Sequence, residues 1–312
     1  MSVQMPPSVV ERIEAMASQA DGKAIIRKAQ ALSQTYRSNA GSAKGEGDAL
    51  AYTVSRMPAT YAAAIRAMSL SLSCMNLQPE IFLDAGAGTG AVTLAISLLM
   101  PSCKCVCLEK EPAMRVIGEE LTKAAGIEAE WRSFDLVEEN KLPHAGLVAE
   151  GYMLCELPEQ SRLSVIHKLW EAAEDMLLFI EPGTPAGYRI LMEARCELLA
   201  MGAHVVAPCP GDLPCPLQED DWCHFAVRLP RTRRMIGAKG GEAPFEDEKF
   251  SFLACTRMEP APCFARILRH PRTDPGHVKL TLCTEKGKED CVFTKKNPLW
   301  KRIRKVTWGD GL

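Results

Sequence analysis

From Ile81 to Gly90 the chain reads I-F-L-D-A-G-A-G-T-G, and A-V-T-L-A-I-S-L-L carries it on to Leu99. The first four residues form a short apolar run that ends on an acid, which is the pattern of a buried strand. Ala91 to Leu99 has the apolar content of a helix. Between them, three glycines in five residues allow a tight turn and leave bare backbone, while the N-terminus of the following helix offers free N–H groups to an anionic or polar ligand. Glu109 follows 19 residues after Gly90, at the end of the next apolar run. A carboxylate at that place can accept hydrogen bonds from both hydroxyls of a ribose.

Working outward, short apolar runs alternate with amphipathic stretches. The runs are Ile81 to Asp84, Cys105 to Glu109, Glu128 to Trp131, Gly146 to Met153, Met176 to Glu181, His204 to Ala207 and Phe250 to Arg257. Helices are expected between them at Ala91 to Leu99, Ala113 to Ala125, Gln160 to Ala173 and Pro185 to Met201. This alternation predicts an α/β fold with a seven-stranded, largely parallel sheet and crossover helices. Upstream, residues 8 to 75 carry helical spacing (Val9, Ile13, Met16; Ile65, Met68, Leu72), broken by a polar gap from Ser38 to Asp48. Downstream, a hairpin is expected from His277 to Thr284 and Asp290 to Thr294 about Lys286-Gly287-Lys288.

The order D-x-G-x-G-x-G, rather than G-x-G-x-x-G, resembles the S-adenosylmethionine motif of class I methyltransferases, a Rossmann-like fold. The resemblance implies a cofactor site of Asp84, Gly86, Gly88, Gly90, Glu109 and Asp135, with Asp84 near the amino-acid end of the ligand and Asp135 near the adenine amino group. Enzymes of this class that methylate exocyclic amines often carry an N-P-P-Y-like loop after the fourth strand. Here the loop reads G151-Y-M-L-C155-E156, so no catalytic residue is assigned. Cys155 reads as a packing cysteine, and Glu156 as a base or a capping carboxylate. The turn E181-P-G-T-P185 is expected to shape the pocket wall.

A second signal lies at A207-P-C-P-G-D-L-P-C-P-L-Q-E-D-D-W-C-H-F225, where three cysteines stand at C-x5-C-x7-C. Prolines stiffen the backbone about Cys209 and Cys215. The spacing fits neither paired C-x2-C zinc sites nor a redox C-x-x-C. An iron-sulfur cluster on Cys209, Cys215, Cys223 and a fourth cysteine is the sharper reading, with zinc or buried thiols as alternatives. The fourth ligand is open among Cys255, Cys263, Cys283 and Cys291, the last two expected to face each other across the hairpin. His224 is a further candidate. Cys103, Cys105 and Cys107 alternate along the second strand and read as core.

The chain of 312 residues is 47% hydrophobic and 24% charged, which describes a globular protein. No apolar run approaches the roughly 18 residues of a membrane helix. Met1 to Asp21 carries three acids and neither an apolar signal core nor an arginine-rich transit pattern, so the sequence reads as cytoplasmic. Thirteen cysteines then point to reduced thiols and metal chemistry rather than to disulfides. The net charge of -2 is uneven: residues 227 to 312 hold 19 Lys and Arg against 10 Asp and Glu, a balance of +9 that leaves -11 on the rest. Two basic clusters, Arg231, Arg233, Arg234 and Lys239, then Lys295, Lys296, Lys301, Arg302, Arg304 and Lys305 with Trp300 and Trp308 among them, are expected to bind RNA by phosphate contact and base stacking, chiefly through Lys301, Arg302, Arg304 and Lys305 in the second.

R56-M-P-A-T-Y61, the D84 to G90 turn, E181-P-G-T-P185, A207-P-C-P210, C215-P-L, D221-W-C-H-F225 and W308-G-D310 together resemble the methyltransferase-like family associated with the small ribosomal subunit. That resemblance implies a 4Fe-4S cluster on Cys209, Cys215, Cys223 and, by its L-C-T context, Cys283, with S-adenosylmethionine as second cofactor. It implies a partner, the rRNA of the small ribosomal subunit, and either methyl transfer to that RNA or a non-catalytic assembly role. The expected organisation is a helical region (1–75), a methyltransferase-like domain (76–257) with a cluster-binding insertion at about 207–240, and a basic C-terminal extension (258–312) in a monomer.

Overall fold

A computed structural model of the chain describes residues 3–37, 43–217, 220–239, 242–261 and 263–312. Part of the expected polar gap, 38–42, and Gln218 and Glu219 of the cysteine segment lie outside them. Helices α1 (Pro7–Ser18), α2 (Gly22–Arg37), α3 (Glu46–Ser55) and α4 (Met57–Leu72) come first, as the apolar spacing predicts. Then follow β1 (Ile81–Ala85), α5 (Ala91–Leu99), β2 (Lys104–Leu108), α6 (Pro112–Ala124), β3 (Ala129–Arg132), β4 (Ala145–Gly151), α7 (Glu159–Ala172), β5 (Ala173–Pro182), α8 (Pro185–Ala200), β6 (His204–Ala207), β7 (Phe225–Pro230), α9 (Arg233–Lys239) and β8 (Phe245–Thr256). A second sheet closes the chain: β9 (Ala265–Ile267), β10 (Arg272–Asp274), β11 (His277–Thr284), β12 (Gly287–Thr294), with α10 (Trp300–Ile303) after it. No described helix is long and apolar enough to cross a membrane.

The main sheet runs β3-β2-β1-β4-β5-β8-β6, parallel except for β8, which is antiparallel to β5 and β6. This is the class I methyltransferase arrangement. Residues of β1 alternate between the two layers: Phe82 joins the core with α1–α6, while Leu83 and Ala85 join the core with α7 and α8. A strand covered on both faces must be apolar throughout, which is why the first run could be read as central.

Two details differ from expectation. The sheet has an eighth strand, β7, paired with the first half of β8 from Phe225↔Phe250 to Pro230↔Phe245. The charged stretch Phe245 to Lys249 hides this half of β8, although Phe225, Val227 and Leu229 alternate inward and carry the period-2 signal. The C-terminal hairpin turns at Glu285-Lys286, not about Gly287, so Cys283 pairs with Lys288 and Cys291 with Leu280. Cys283 and Cys291 therefore lie on opposite faces of the hairpin and do not oppose each other. Cys103, Cys105 and Cys107 are buried as expected.

Candidate functional site

A cleft of about 800 Å³ opens at the C-terminal ends of β1, β2 and β4, where ligands of open α/β sheets bind and within the usual size of ligand cavities. Gly86, Gly88, Glu109 and Asp135 line it together. Gly88 has φ +57 and open space where a Cβ would stand, so its backbone faces the cleft directly. Glu109 braces this loop: Oε2 accepts from Gly88 N at 2.8 Å and Oε1 from Glu111 N at 2.7 Å. Burial raises its carboxyl above the ordinary value. Asp135 accepts from Val137 N at 2.9 Å and faces Lys110 at 3.7 Å.

Asp84 and Gly90 are placed differently. Asp84 is fully buried and does not reach the cleft wall; its Oδ2 accepts from Thr93 N at 2.9 Å and Thr93 Oγ1 at 2.6 Å. It clamps the start of α5, and burial pushes its carboxyl up to about 7. Gly90, at φ +84, ends the turn and packs against Trp131. Neither is among the residues that line the cleft.

The helical region supplies a wall that local sequence patterns do not announce: Tyr52, Arg56 and Thr60 of α3 and α4 and the turn between them face the cleft. The expected wall turn contributes Pro182, Thr184 and Pro185. After β4 the chain passes through Tyr152 at φ +63, a conformation unusual for a side chain of this size. The Tyr152 hydroxyl donates to Glu248 at 3.0 Å. Cys155 Sγ donates to Tyr152 O at 3.2 Å, and burial raises its thiol far above the ordinary value, in keeping with a packing cysteine.

Beneath this loop lie two acids: Glu150, which an apolar run hides from sequence reading, and Glu181, which reads there only as the first residue of the wall turn. Glu150 and Glu181 are both fully buried at the ends of β4 and β5. Glu150 accepts from Met153 N at 3.0 Å and Ile180 N at 3.2 Å; Glu181 accepts from Cys155 N at 3.3 Å. Burial, and then the charge of Glu181, hold Glu150 well above the carboxylate range, and burial pushes Glu181 up to about 7.

The cysteine segment folds over a separate, small apolar cavity of about 40 Å³ beside α8. Cys209, Cys215, Cys223 and Cys283 all line it, with Tyr188, Arg195 and Arg266. Tyr188 Oη lies 3.2 Å from Cys215 Sγ. Arg195 donates to Gly211 O and Leu213 O, Arg266 to Pro208 O, so both cations also hold the loop. Burial raises the thiols of Cys209, Cys223 and Cys283, the last to about 12. As placed, no three His, Cys, Asp or Glu side chains among the described residues are spaced to hold a metal ion. The donor set nevertheless suits an anionic, sulfur-bound group: four thiols face one cavity, and the buried Arg195 Nε has no hydrogen-bond partner among the described residues. The other candidates are elsewhere. Cys255 is core, Cys263 meets Cys74, Cys291 is on the far hairpin face, and His224 Nδ1 turns to Trp222 O.

The first basic cluster is largely spent inside the protein. Arg231 and Lys239 both face Glu246, at 3.7 and 2.6 Å, and Arg234 pairs with Glu14. Arg233 alone of the four is exposed. In the second cluster Lys301, Arg302, Arg304 and Lys305 are all exposed. The expected stacking aromatics are a correction: Trp308 is buried against His224, His270 and Phe225, and Trp300 packs on the core of the second sheet.

Comparison with known proteins gives these likenesses a family. Among solved structures, the chain is similar to N-methyltransferase NodS of Bradyrhizobium japonicum with S-adenosyl-L-homocysteine (14% identity, 73% of this chain and 98% of that one, TM-score 0.45). It is also similar to magnesium protoporphyrin IX methyltransferase of Synechocystis PCC 6803 with bound SAM (12%, 72% and 90%, 0.43). Among curated proteins, it is 30% identical over 291 residues to the human "Ribosome assembly protein METTL17, mitochondrial", covering 85% of this chain and 62% of that protein. It is 23% identical over 337 residues to "Rsm22-cox11 tandem protein 2, mitochondrial" of Schizosaccharomyces pombe, covering 89% and 45%. The chain thus spans less than two thirds of the length of these relatives. Their mitochondrial descriptions overturn the cytoplasmic reading; the charge pattern of the first 21 residues does not decide a compartment. The family model described as "Mitochondrial small ribosomal subunit Rsm22" matches residues 46–312, and the chain belongs to the Rsm22 family.

Proposed function

We propose that this chain is an assembly factor of the small ribosomal subunit that binds S-adenosylmethionine in the β1–β4 cleft and rRNA through its basic C-terminal end, in the mitochondrion as its relatives' names indicate. One observation carries the non-catalytic form of this reading. Most acid–base candidates about the loop after β4 are engaged within the protein, the Tyr152 hydroxyl on Glu248, the Cys155 thiol on Tyr152 O, Glu150 and Glu181 beneath the backbone, while Glu156 lines the cleft.

S-adenosylmethionine, when bound, supplies an electrophilic methyl group. The residues of the chain orient it: Gly86 and Gly88 offer bare backbone, Glu109 and Asp135 offer carboxylate acceptors, and Tyr52, Arg56 and Thr60 close the wall above. Cys209, Cys215, Cys223 and Cys283 would hold a 4Fe-4S cluster, supported by their common cavity, its two arginines and an Arg195 Nε with no hydrogen-bond partner among the described residues. Iron–sulfur bonds there would cross-link the loop after β6 to β11, and so set the position of the basic end relative to the cleft. Lys301, Arg302, Arg304 and Lys305 are the exposed cations for phosphate contact, with Arg233 beside them in role.

A second reading, methyl transfer to rRNA, is favoured by the cleft's size, which is near the upper end for ligand cavities and leaves room beside a cofactor. The two are separated by incubating the protein with immature small subunits and S-adenosylmethionine labelled in its methyl group. Co-sedimentation with the subunit, cofactor binding by equilibrium dialysis, and no label in rRNA are expected. Label in rRNA, lost in Glu109→Ala, would establish the enzyme; absence of subunit binding would end both readings.

A further inference from the structure

Away from the cleft, two cysteines distant in sequence meet at a buried arginine. Cys74 lies just beyond α4 and Cys263 just before β9; each sulfur bears on the other, while the Cys74 thiol donates to Leu70 O at 3.6 Å and the Cys263 thiol to Ala265 O at 3.4 Å. Arg266 is wholly buried. It donates through Nε to Pro208 O at 2.6 Å, through Nη1 to Gly309 O at 3.0 Å and through Nη2 to Cys74 Sγ at 3.3 Å. Two backbone carbonyls and a sulfur are thus its partners, and of these only the sulfur can carry a negative charge. Cys263 Sγ and Arg266 Nη1 border the same small space at Gly311, where a Cβ would stand 3.1 Å from the first and 3.4 Å from the second. Cys263 is partly open to solvent, whereas Cys74 is buried.

A buried guanidinium beside a sulfur favours the thiolate, and a second thiol within hydrogen-bonding reach is what a resolving cysteine requires. We propose that Cys74 and Cys263 are a peroxide-sensitive dithiol, with Cys74 the attacking sulfur and Cys263 the resolving one. The nearby Cys263, with Arg266 adding to it, moves the Cys74 thiol well below its ordinary value despite burial, and Cys74 and burial move Cys263 up. The oxidant is a hydroperoxide, small enough to enter a nearly closed site. Cys74 thiolate attacks the distal peroxide oxygen, the O–O bond breaks, and hydroxide (from hydrogen peroxide) leaves, giving a sulfenic acid on Cys74. The Cys263 sulfur then attacks Cys74 Sγ, its proton joins the departing hydroxyl as water, and a disulfide remains. Two electrons pass from the two thiols to one peroxide. The product would fasten the end of α4 to the entry of the C-terminal sheet. Neither cofactor nor metal takes part in the step.

The test treats the full chain with less than one equivalent of hydrogen peroxide, blocks remaining thiols, and reads each cysteine by peptide mass. A linked Cys74–Cys263 peptide is expected, formed about tenfold faster than oxidation of the exposed Cys196, because peroxide reacts with thiolate and an ordinary cysteine is only a few per cent ionised at neutral pH. In Cys263→Ser, dimedone should mark Cys74; in Arg266→Lys the marking should persist at a slower rate. The proposal is overturned if Cys74 and Cys263 stay alkylatable at doses that oxidise Cys196, or if Cys74→Ser gives a dimedone adduct on Cys263 while Cys263→Ser gives none on Cys74.

Discussion

The glycine-loop cleft and the cysteine cavity are two sites built in opposite ways. The cleft takes its floor from one stretch of chain, Gly86 to Asp135, and its polar atoms are held by near neighbours: Glu109 by Gly88 and Glu111, Asp135 by Val137. The cavity is assembled from Cys209, Cys215 and Cys223 on one loop, Cys283 on β11, and arginines on α8 and β9. A local site keeps its shape as long as its own turn forms. A site gathered from four segments depends on every element that positions them, so it should be the more fragile of the two.

The largest expected effect is in the cavity. Cys283→Ser should abolish the visible colour and the iron content of anaerobically purified protein, whereas Cys291→Ser, on the other hairpin face, should leave both intact. Colourless wild-type protein with one bound zinc would break the cluster reading and leave the cavity as packing. Next comes the cleft: Glu109→Ala removes the acceptor of two backbone N–H groups, at a cost of about 2–3 kcal/mol for hydrogen bonds to a charged group. Cofactor affinity measured by calorimetry should fall at least about tenfold, with the protein still folded by circular dichroism. Unchanged affinity would mean that the cleft holds something else.

A third expectation concerns the acids on the sheet. Asp84 and Glu181 are pushed up to about 7 by burial. A carboxyl whose folded value lies above its unfolded one binds its proton more tightly when folded, so its cost is absent near pH 4, grows as pH rises towards 7, and is complete above that. Denaturant unfolding should therefore show stability falling across this window, by about 1.4 kcal/mol per pH unit per group at most. Asp84→Asn should flatten the slope; an unaltered slope would move its origin to Glu150 and Glu181. The smallest effect on stability belongs to the surface. Lys301→Ala and Arg304→Ala should change unfolding by no more than about 0.5 kcal/mol while each lowers the salt dependence of RNA binding by about one. Arg231→Ala, which strips Glu246 of a partner inside the protein, should do the reverse: it should cost stability and leave the salt slope unchanged.

Much of this contrast could be read from the chain, and its gaps have physical causes. The helices between the strands fall within a residue or two of expectation because each opens at a Gly or Pro: Gly90, Pro112, Pro158 and Pro185. β7 escaped although Phe225, Val227 and Leu229 alternate inward, because its partner half of β8 is written in charges and is a strand through cross-strand pairing rather than burial. The hairpin register slipped because Gly287 drew the turn to itself, while the two-residue loop actually sits before it. Asp84 was assigned to the ligand by analogy with the motif, and only the position of Thr93 on the next turn of chain shows what it clamps. Trp308 looked like a stacking surface because its neighbours are basic; tertiary packing buries it against His224 and His270.

Neighbours along the chain are enough to set the strand–turn–helix at Ile81 to Leu99, the alternation that makes a parallel sheet, the stiffness around Cys209 and Cys215, and the charge of the C-terminal end. Which distant groups share a space follows from the packing of the fold. That packing brought Cys283 rather than Cys291 to the other three cysteines, set Tyr52 and Arg56 over the cleft, paired Arg231 and Lys239 with Glu246 and Arg234 with Glu14, and placed Cys74 and Cys263 beside Arg266. The reason is range: backbone propensity acts over a few residues, whereas contact between a loop, a helix end and a second sheet follows from how the layers pack.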